Sequence, residues 1–254
     1  MPSSSDYALQ VRNLTVNFVE EDGSLEVLDG LSFAIPENQF VCLIGPSGGG
    51  KSTLLRVLAG LVTPTNGGFQ LKGSGTSQLT TGLVFQQANL MPWRTLEANI
   101  RLPLDIANLP REEIDKRTRE MIDLVGLGGF EHSFPHELSG GMAQRVAIAR
   151  SLIQDPKLLL LDEPFGQLDA LTREQMGAEL LRIWTENKKT VLMVTHSITE
   201  AIFLADRVLV LTKRPGRLIL DMPIPLARPR TEVMRYSPEF NRISIDLHNH
   251  LAQN

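Results

Sequence analysis

Phe40-Val41-Cys42-Leu43-Ile44-Gly45-Pro46-Ser47-Gly48-Gly49-Gly50-Lys51-Ser52-Thr53 is the stretch on which the fold turns. Its first five residues form a continuous apolar run closed by glycine, as a strand covered on both faces requires. Ser52–Ala59 then reads as a helix that Gly60 ends. The loop between them matches G-x-x-x-x-G-K-[ST], in the strand-to-helix context that gives the pattern its meaning. The reason is geometric. Glycines let successive backbone N–H groups turn inward around phosphate oxygens, and the following helix presents its positive end to the same anion. Lys51 adds a cation for the β- and γ-phosphates, and the Ser52 hydroxyl is a hard oxygen ligand for Mg²⁺.

Outward from this stretch, Lys157–Leu161 and Thr190–Thr195 have the same buried-strand character. Met176, Leu180 and Ile183 recur at helical spacing between them. Alternating buried strands and helices predict an α/β fold with a largely parallel sheet. Before it, Leu14, Val16 and Phe18 alternate with Thr15 and Asn17, Glu20–Ser24 reads as a turn, and Leu31–Ile35 as a second strand ending at Pro36. An N-terminal antiparallel sheet is therefore expected. No convincing strand occurs from about Asn89 to Gln154, where Ile114, Thr118, Met121 and Val125 mark one helix and Gly140–Ile153 a second. The expected division is a core of 1–88 and 155–222, a helical insertion of 89–154, and a tail of 223–254. The tail's helix starts at Ser237-Pro238-Glu239 and places Phe240, Ile243, Leu247 and Leu251 on one face.

Composition narrows the class. The 254 residues carry 25 Lys+Arg against 29 Asp+Glu, a net charge of −4, which removes the electrostatic argument for a nucleic-acid partner. The single cysteine, Cys42, cannot form an internal disulfide and suits a reducing compartment. Neither a secretory signal nor an apolar run of membrane-spanning length is apparent, so a cytosolic chain without its own anchor is expected.

Two further motifs carry chemistry. Leu158-Leu159-Leu160-Leu161-Asp162-Glu163 is a hydrophobic strand ending in carboxylates, which places Asp162 near Mg²⁺ and lets Glu163 orient and deprotonate an attacking water. Leu138-Ser139-Gly140-Gly141-Met142-Ala143-Gln144-Arg145 sets a serine and two glycines at a helix start, another anion-binding N-terminus. The chain thus holds two phosphate cradles but one phosphate-loop lysine. Pairing two copies head to tail would close two ATP molecules between them.

With these motifs in this order, the sequence resembles the ATP-binding subunit of an ABC transporter over roughly residues 8–220. The resemblance implies a P-loop ATPase core with an antiparallel β-subdomain and an inserted α-helical subdomain. It implies that Gly45, Pro46, Ser47, Gly48, Gly49, Gly50, Lys51, Ser52 and Thr53 hold ATP, and that Ser139, Gly140 and Gly141 contact the γ-phosphate of ATP held by a partner subunit. Gln86 matches the lid glutamine that reaches Mg²⁺ and the water, and Asp169 the loop that crosses the dimer interface. His196 matches the switch histidine that bonds the γ-phosphate, and Phe18 the aromatic residue that stacks on adenine. Glu163, His196 and Gln86 are the expected catalytic residues, with Ser52, Gln86 and Asp162 at the metal. Ser197 stands where Asp is usual, and Gln167 where Ala or Ser is frequent. Ser197–Glu200 and Thr172–Gln175 each read as a capping box.

The same resemblance implies partners: a second ATP-binding subunit, identical or related, two separate membrane permease subunits, and indirectly an extracytoplasmic solute-binding protein. The expected location is the cytoplasmic face of the bacterial inner membrane. Leu90-Met91-Pro92-Trp93-Arg94-Thr95 offers apolar groups for a permease helix. Together with Arg214-Pro215-Gly216 and Ala227-Arg228-Pro229-Arg230, it resembles the subfamily that energises uptake of nitrate, sulfonates, taurine and bicarbonate, with relatives importing thiamine-type pyrimidines. A nitrate- or sulfonate-type anion is the expected solute. Rival readings are a soluble ATPase of the same superfamily acting on nucleic acid or ribosomes, which usually carries two cassettes or long insertions, and a small-molecule kinase, which has no use for Leu138–Met142.

Overall fold

A computed structural model describes residues 7–20, 23–72 and 81–252. Part of the expected first turn, Glu21-Asp22, lies outside the described residues. Strand β1 (Tyr7–Glu20) pairs antiparallel with β2 (Gly23–Pro36) and with β4 (Asn66–Leu71), giving a three-stranded sheet. The central sheet contains β3 (Phe40–Ile44), β5 (Thr81–Val84), β6 (Leu158–Asp162), β7 (Thr190–Val194), β8 (Arg207–Leu211) and β9 (Leu218–Pro223). Its spatial order is β5-β6-β7-β3-β8-β9, parallel throughout except for the edge strand β9.

The unbroken apolar runs follow from two cores. Phe40, Cys42 and Ile44, with Leu159, Leu161, Val191 and Met193, face one of them. Val41 and Leu43, with Leu158, Leu160, Leu192 and Val194, face the other. A strand clamped between two cores has no side left for polar residues. The second core is shared with the antiparallel sheet and with α1 (Lys51–Leu58). The first is shared with α2 (Leu96–Ile106), α3 (Arg111–Leu124), α4 (Gly140–Leu152), α5 (Ala170–Glu186), α6 (Ile198–Leu204) and α7 (Pro238–Ala252). Among the described residues no strand lies between β5 and β6, and no helix is long and apolar enough to cross a membrane.

The sequence reading anticipates neither β4, α2 nor β9 as elements. It also misplaces one cap and completes another that is only half made. Helix α5 begins at Ala170 because Asp169, not Thr172, is its N-cap: the Asp169 carboxylate accepts from the Thr172 N–H at 3.0 Å. At α6, Ser197 Oγ accepts from the Glu200 N–H at 3.3 Å, but the return half of the capping box is not made. The Glu200 carboxylate turns inward and takes the Thr195 hydroxyl instead, at 2.5 Å. The tail helix α7 buries Phe240, Ile243 and Leu247, and packs against α6.

Candidate nucleotide site

The phosphate loop lies between the end of β3 and the start of α1, where the sheet delivers its parallel strands' carboxyl ends. Its glycines are dictated by crowding as well as by ligand. Gly50 has φ +82°, and a Cβ there would sit 2.5 Å from Leu28 Cδ2 and 2.9 Å from the Val27 carbonyl oxygen. A Cβ on Gly49 would meet the Thr212 carbonyl oxygen at 2.6 Å. The loop is therefore pressed onto β2 and onto the Thr212–Gly216 turn after β8. That turn is itself tied to β2 by the Gly216 N–H to Val27 carbonyl bond of 2.8 Å.

Lys51 is buried at the first position of α1, and its Nζ donates to the carbonyls of Gly45 (2.8 Å) and Pro46 (2.9 Å). Burial pulls its ammonium pKa down, and the nearby Glu163 and Asp162 charges oppose this. Ser52 Oγ donates to Asp162 Oδ1 at 2.8 Å across the gap between α1 and β6. Burial pushes the Asp162 carboxyl up, against the pull of that hydrogen bond. For Asp162, desolvation thus outweighs both the Ser52 hydrogen bond and the nearby Arg56 and Lys51 charges.

Glu163 follows at the strand end with φ +46°, a conformation uncommon outside glycine. Its N–H bonds the Val194 carbonyl at 3.0 Å, which fixes the turn, and its Oε2 lies 3.2 Å from His196 Nδ1. Gly166 separates this carboxylate from Gln86: a Cβ there would be 3.1 Å from Gln86 Nε2 and 3.6 Å from Glu163 Oε2. The structure thus brings Lys51, Ser52, Gln86, Asp162, Glu163 and His196 into one neighbourhood. A phosphate cradle, a hard-oxygen pair and a carboxylate–imidazole pair lie together, the parts that in-line attack of water on a phosphoryl group requires.

The other expected residues stand apart. Ser139 caps α4 by accepting from the Met142 N–H at 3.3 Å, and Ser139 and Gly140 are exposed. The nearest groups to Gly140 and Gly141 are Leu168, Thr172 and Met176, not the phosphate loop. Asp169 is exposed, and its bonds to Thr172 hold its carboxyl below the usual carboxylate range. Phe18 pairs with Leu25 at the far end of the β1–β2 ladder and is 39% exposed, off the core that takes Leu14 and Val16. Sequence reasoning missed Arg150, which donates to the carbonyls of Ala88 (2.9 Å) and Asn89 (3.0 Å) and so ties α4 to the segment after Gln86. It also missed the buried Asn99, whose amide bonds Met91, Arg94 and Thr95 and holds up the loop of Trp93. Neither has a sequence signal of its own, because each acts on backbone carbonyls.

The fold is that of an ATP-binding cassette, and the chain belongs to the ABC transporter family, whose model matches residues 28–166. It is 48% identical to an uncharacterized ABC transporter ATP-binding protein of Methanocaldococcus jannaschii, over 87% of this chain and 84% of that one. It is 43% identical to the aliphatic sulfonates import ATP-binding protein of Bacillus subtilis (89% and 87% covered). With the nitrate import ATP-binding protein of Synechocystis it shares 42% identity (94% and 93% covered). Among solved structures it resembles a dimeric ATP-binding cassette in a post-hydrolysis state bound to ADP and phosphate. There the TM-score is 0.72 and the identity 32%, with 86% of this chain and all of the other covered. The chain is an ABC-type ATPase.

Proposed function

We propose that two such subunits, identical or related, sandwich two ATP molecules head to tail and drive import of a small anion through two separate permease subunits. The observation that carries this reading is the division of the site. Lys51, Ser52, Asp162 and Glu163 lie together at the phosphate loop, while Ser139 and Gly140 are exposed at the start of α4; there Gly141 is buried against Thr172 and Met176, and none of the groups closest to either glycine belongs to the phosphate loop. The dimeric cassettes that the chain resembles support the pairing.

In this reading, residues 45–53 hold the triphosphate and Lys51 leaves the Gly45 and Pro46 carbonyls for its oxygens. Ser52, Asp162 and Gln86 would hold Mg²⁺. The donor set fits a hard cation, since Ser52 and Asp162 present oxygens 2.8 Å apart and the desolvation of Asp162 outweighs the nearby Arg56 and Lys51 charges. The ion, when bound, neutralises phosphate charge. Glu163 accepts a proton from the attacking water while His196, 3.2 Å away, fixes the carboxylate and reaches the γ-phosphate. Phe18, exposed at the strand end, offers its ring to adenine. Asp169 faces the partner. Trp93, 73% exposed on a loop that Asn99 braces, is the apolar group offered to a permease helix at the cytoplasmic face of the membrane. The solute is nitrate or sulfonate in type, on the strength of the relatives' import functions, and an external binding protein would supply it.

Glu163→Gln tests the core of the proposal. It keeps the shape of the side chain and removes the base, so ATP turnover falls by ~10²–10⁴ while ATP still binds and dimers accumulate on a sizing column. Turnover near that of the parent, or a chain that stays monomeric at saturating ATP, would overturn it.

A further inference from the structure

His196 is held in place by a ring of contacts that leaves the active site and returns to it. Thr195 and Ser197, on either side of the histidine, are both tied to Glu200. The Thr195 hydroxyl donates to Glu200 Oε2 at 2.5 Å and accepts the Ser197 N–H at 3.0 Å, while Ser197 Oγ accepts the Glu200 N–H at 3.3 Å. Glu200 is 9% exposed, a place where a carboxylate is seldom found without a task. Its other oxygen, Oε1, lies 3.7 Å from Arg173 Nε on α5. Arg173 in turn donates to the carbonyls of Phe165 (3.3 Å) and Leu168 (3.0 Å), the loop that leads from Glu163 to Asp169. The ring closes at the 3.2 Å contact between Glu163 Oε2 and His196 Nδ1.

A buried carboxylate costs stability unless it is well bonded, and a pair at 3.7 Å with a half-buried arginine is poor compensation. Tail residue Arg235, stacked 4.0 Å over the Phe203 ring, adds a second cation to the field at Glu200. An apolar residue at 200 would pack against α5 more cheaply. What the carboxylate supplies instead is a fixed distance between the two loops that present the base and the imidazole.

We propose that Glu200, with Thr195 and Arg173, is a positioning residue that sets the Glu163–His196 geometry. The inference rests on the reading of Glu163 and His196 as the hydrolytic pair. Misplacement of a reacting group by about 1 Å costs up to ~10²-fold in rate, and partial loosening here should cost about tenfold. Glu200→Ala, and the near-isosteric Thr195→Val in case the first fails to fold, are compared with Glu163→Gln for kcat, KM and the Kd of ATP. The melting temperature checks that each variant is folded at the assay temperature. The expected result is a kcat about tenfold lower in both, KM and Kd within about twofold of the parent, and most of the rate kept by Glu200→Gln, which retains an acceptor for Thr195. Parent kcat in folded Glu200→Ala and Thr195→Val, or a Kd that worsens as much as kcat, overturns the proposal. If Glu163→Gln itself turns over normally, the fault lies in the underlying assignment instead.

Discussion

The phosphate loop and the start of α4 are both glycine-rich helix N-termini, yet the chain treats them differently. In the loop most special residues are engaged inside the molecule: Lys51 with the Gly45 and Pro46 carbonyls, Ser52 with Asp162, Gly49 against Thr212 and Gly50 against Val27 and Leu28, while Gly48 is exposed. At α4, Ser139 and Gly140 are exposed and Ser139 serves only as the cap, while Gly141 is buried against Thr172 and Met176. Glycine inside a helix costs roughly 0.5–1 kcal/mol relative to alanine. In the loop that cost is offset by the chain's own packing. At Gly140 no backbone atom would crowd an added methyl; its one close neighbour would be the Leu168 side chain, at 3.2 Å. Under the proposed pairing, the reason for glycine at 140 is the approach of the partner's nucleotide to its backbone.

The largest effect expected from this contrast comes from breaking each region in a different copy. Lys51→Ala and Ser139→Ala should each lower turnover severely, by about 10²–10³ where a preorganised phosphate contact is lost. When the two purified variants are mixed, heterodimers rebuild one intact site from the sound loop of one copy and the sound α4 of the other. Turnover about tenfold or more above the two variants measured apart is the expected reading of a phosphate-release assay. No recovery on mixing would mean that the two regions serve one chain.

How far the sequence exposes each region follows the same division. The loop, Asp162, Glu163 and the strands that deliver them are legible because local patterning and motif spacing coincide there, and both faces of each strand being buried makes the apolar runs continuous. The antiparallel sheet is half legible: Leu14 and Val16 alternate as a strand should, but β4 begins Asn66-Gly67-Gly68, with little apolar signal, and is held by pairing with β1. Strand β9 is an edge strand of mixed exposure, and α2 carries Pro103 within it, so neither gives a clear period. The cap misread at Thr172 and the capping-box bond not made by Glu200 fail for another reason. Here one local pattern competes with another: Asp169 takes the Thr172 N–H and starts the helix first, and the Glu200 carboxylate takes the neighbouring Thr195 hydroxyl in place of the N-cap N–H. Arg173, Arg150 and Asn99 are invisible because they bond backbone groups, which carry no side-chain pattern.

A smaller and sharper effect separates the glycines. Gly50→Ala forces a Cβ into a left-handed residue and against Leu28 and Val27, and should cost about 1–3 kcal/mol of stability, read as a lower denaturation midpoint. Gly140→Ala adds a good helix former against one movable leucine side chain and should leave the midpoint unchanged or raise it, by up to ~1 kcal/mol. If the proposed pairing holds, its turnover should nevertheless fall, since a methyl would then stand where the partner's phosphate approaches. A Gly140→Ala chain that is destabilised as much as Gly50→Ala would remove the contrast between the two regions.

The smallest effect concerns charge. Asp162 has its carboxyl pushed above the ordinary value of 3.8 by burial, so the folded chain holds that proton more tightly than the unfolded one. Stability contributed by this group is therefore lost as pH rises through 3.8 and stays lost at neutrality. Asp162→Asn removes the desolvated charge and leaves an oxygen for Ser52. Without nucleotide or metal, its melting temperature at pH 7 should exceed the parent's by about a degree or more, and the gap should close as the pH falls toward 3.8. The same variant should hydrolyse ATP poorly. Ser139→Ala carries no charge change, so its loss of a cap, about 0.5–1 kcal/mol, should be the same at every pH. A parent more stable than Asp162→Asn at pH 7 in the absence of ligands would show that Asp162 is compensated within the chain. In that case the loop side would not be an electrostatically unfinished half-site awaiting a cation.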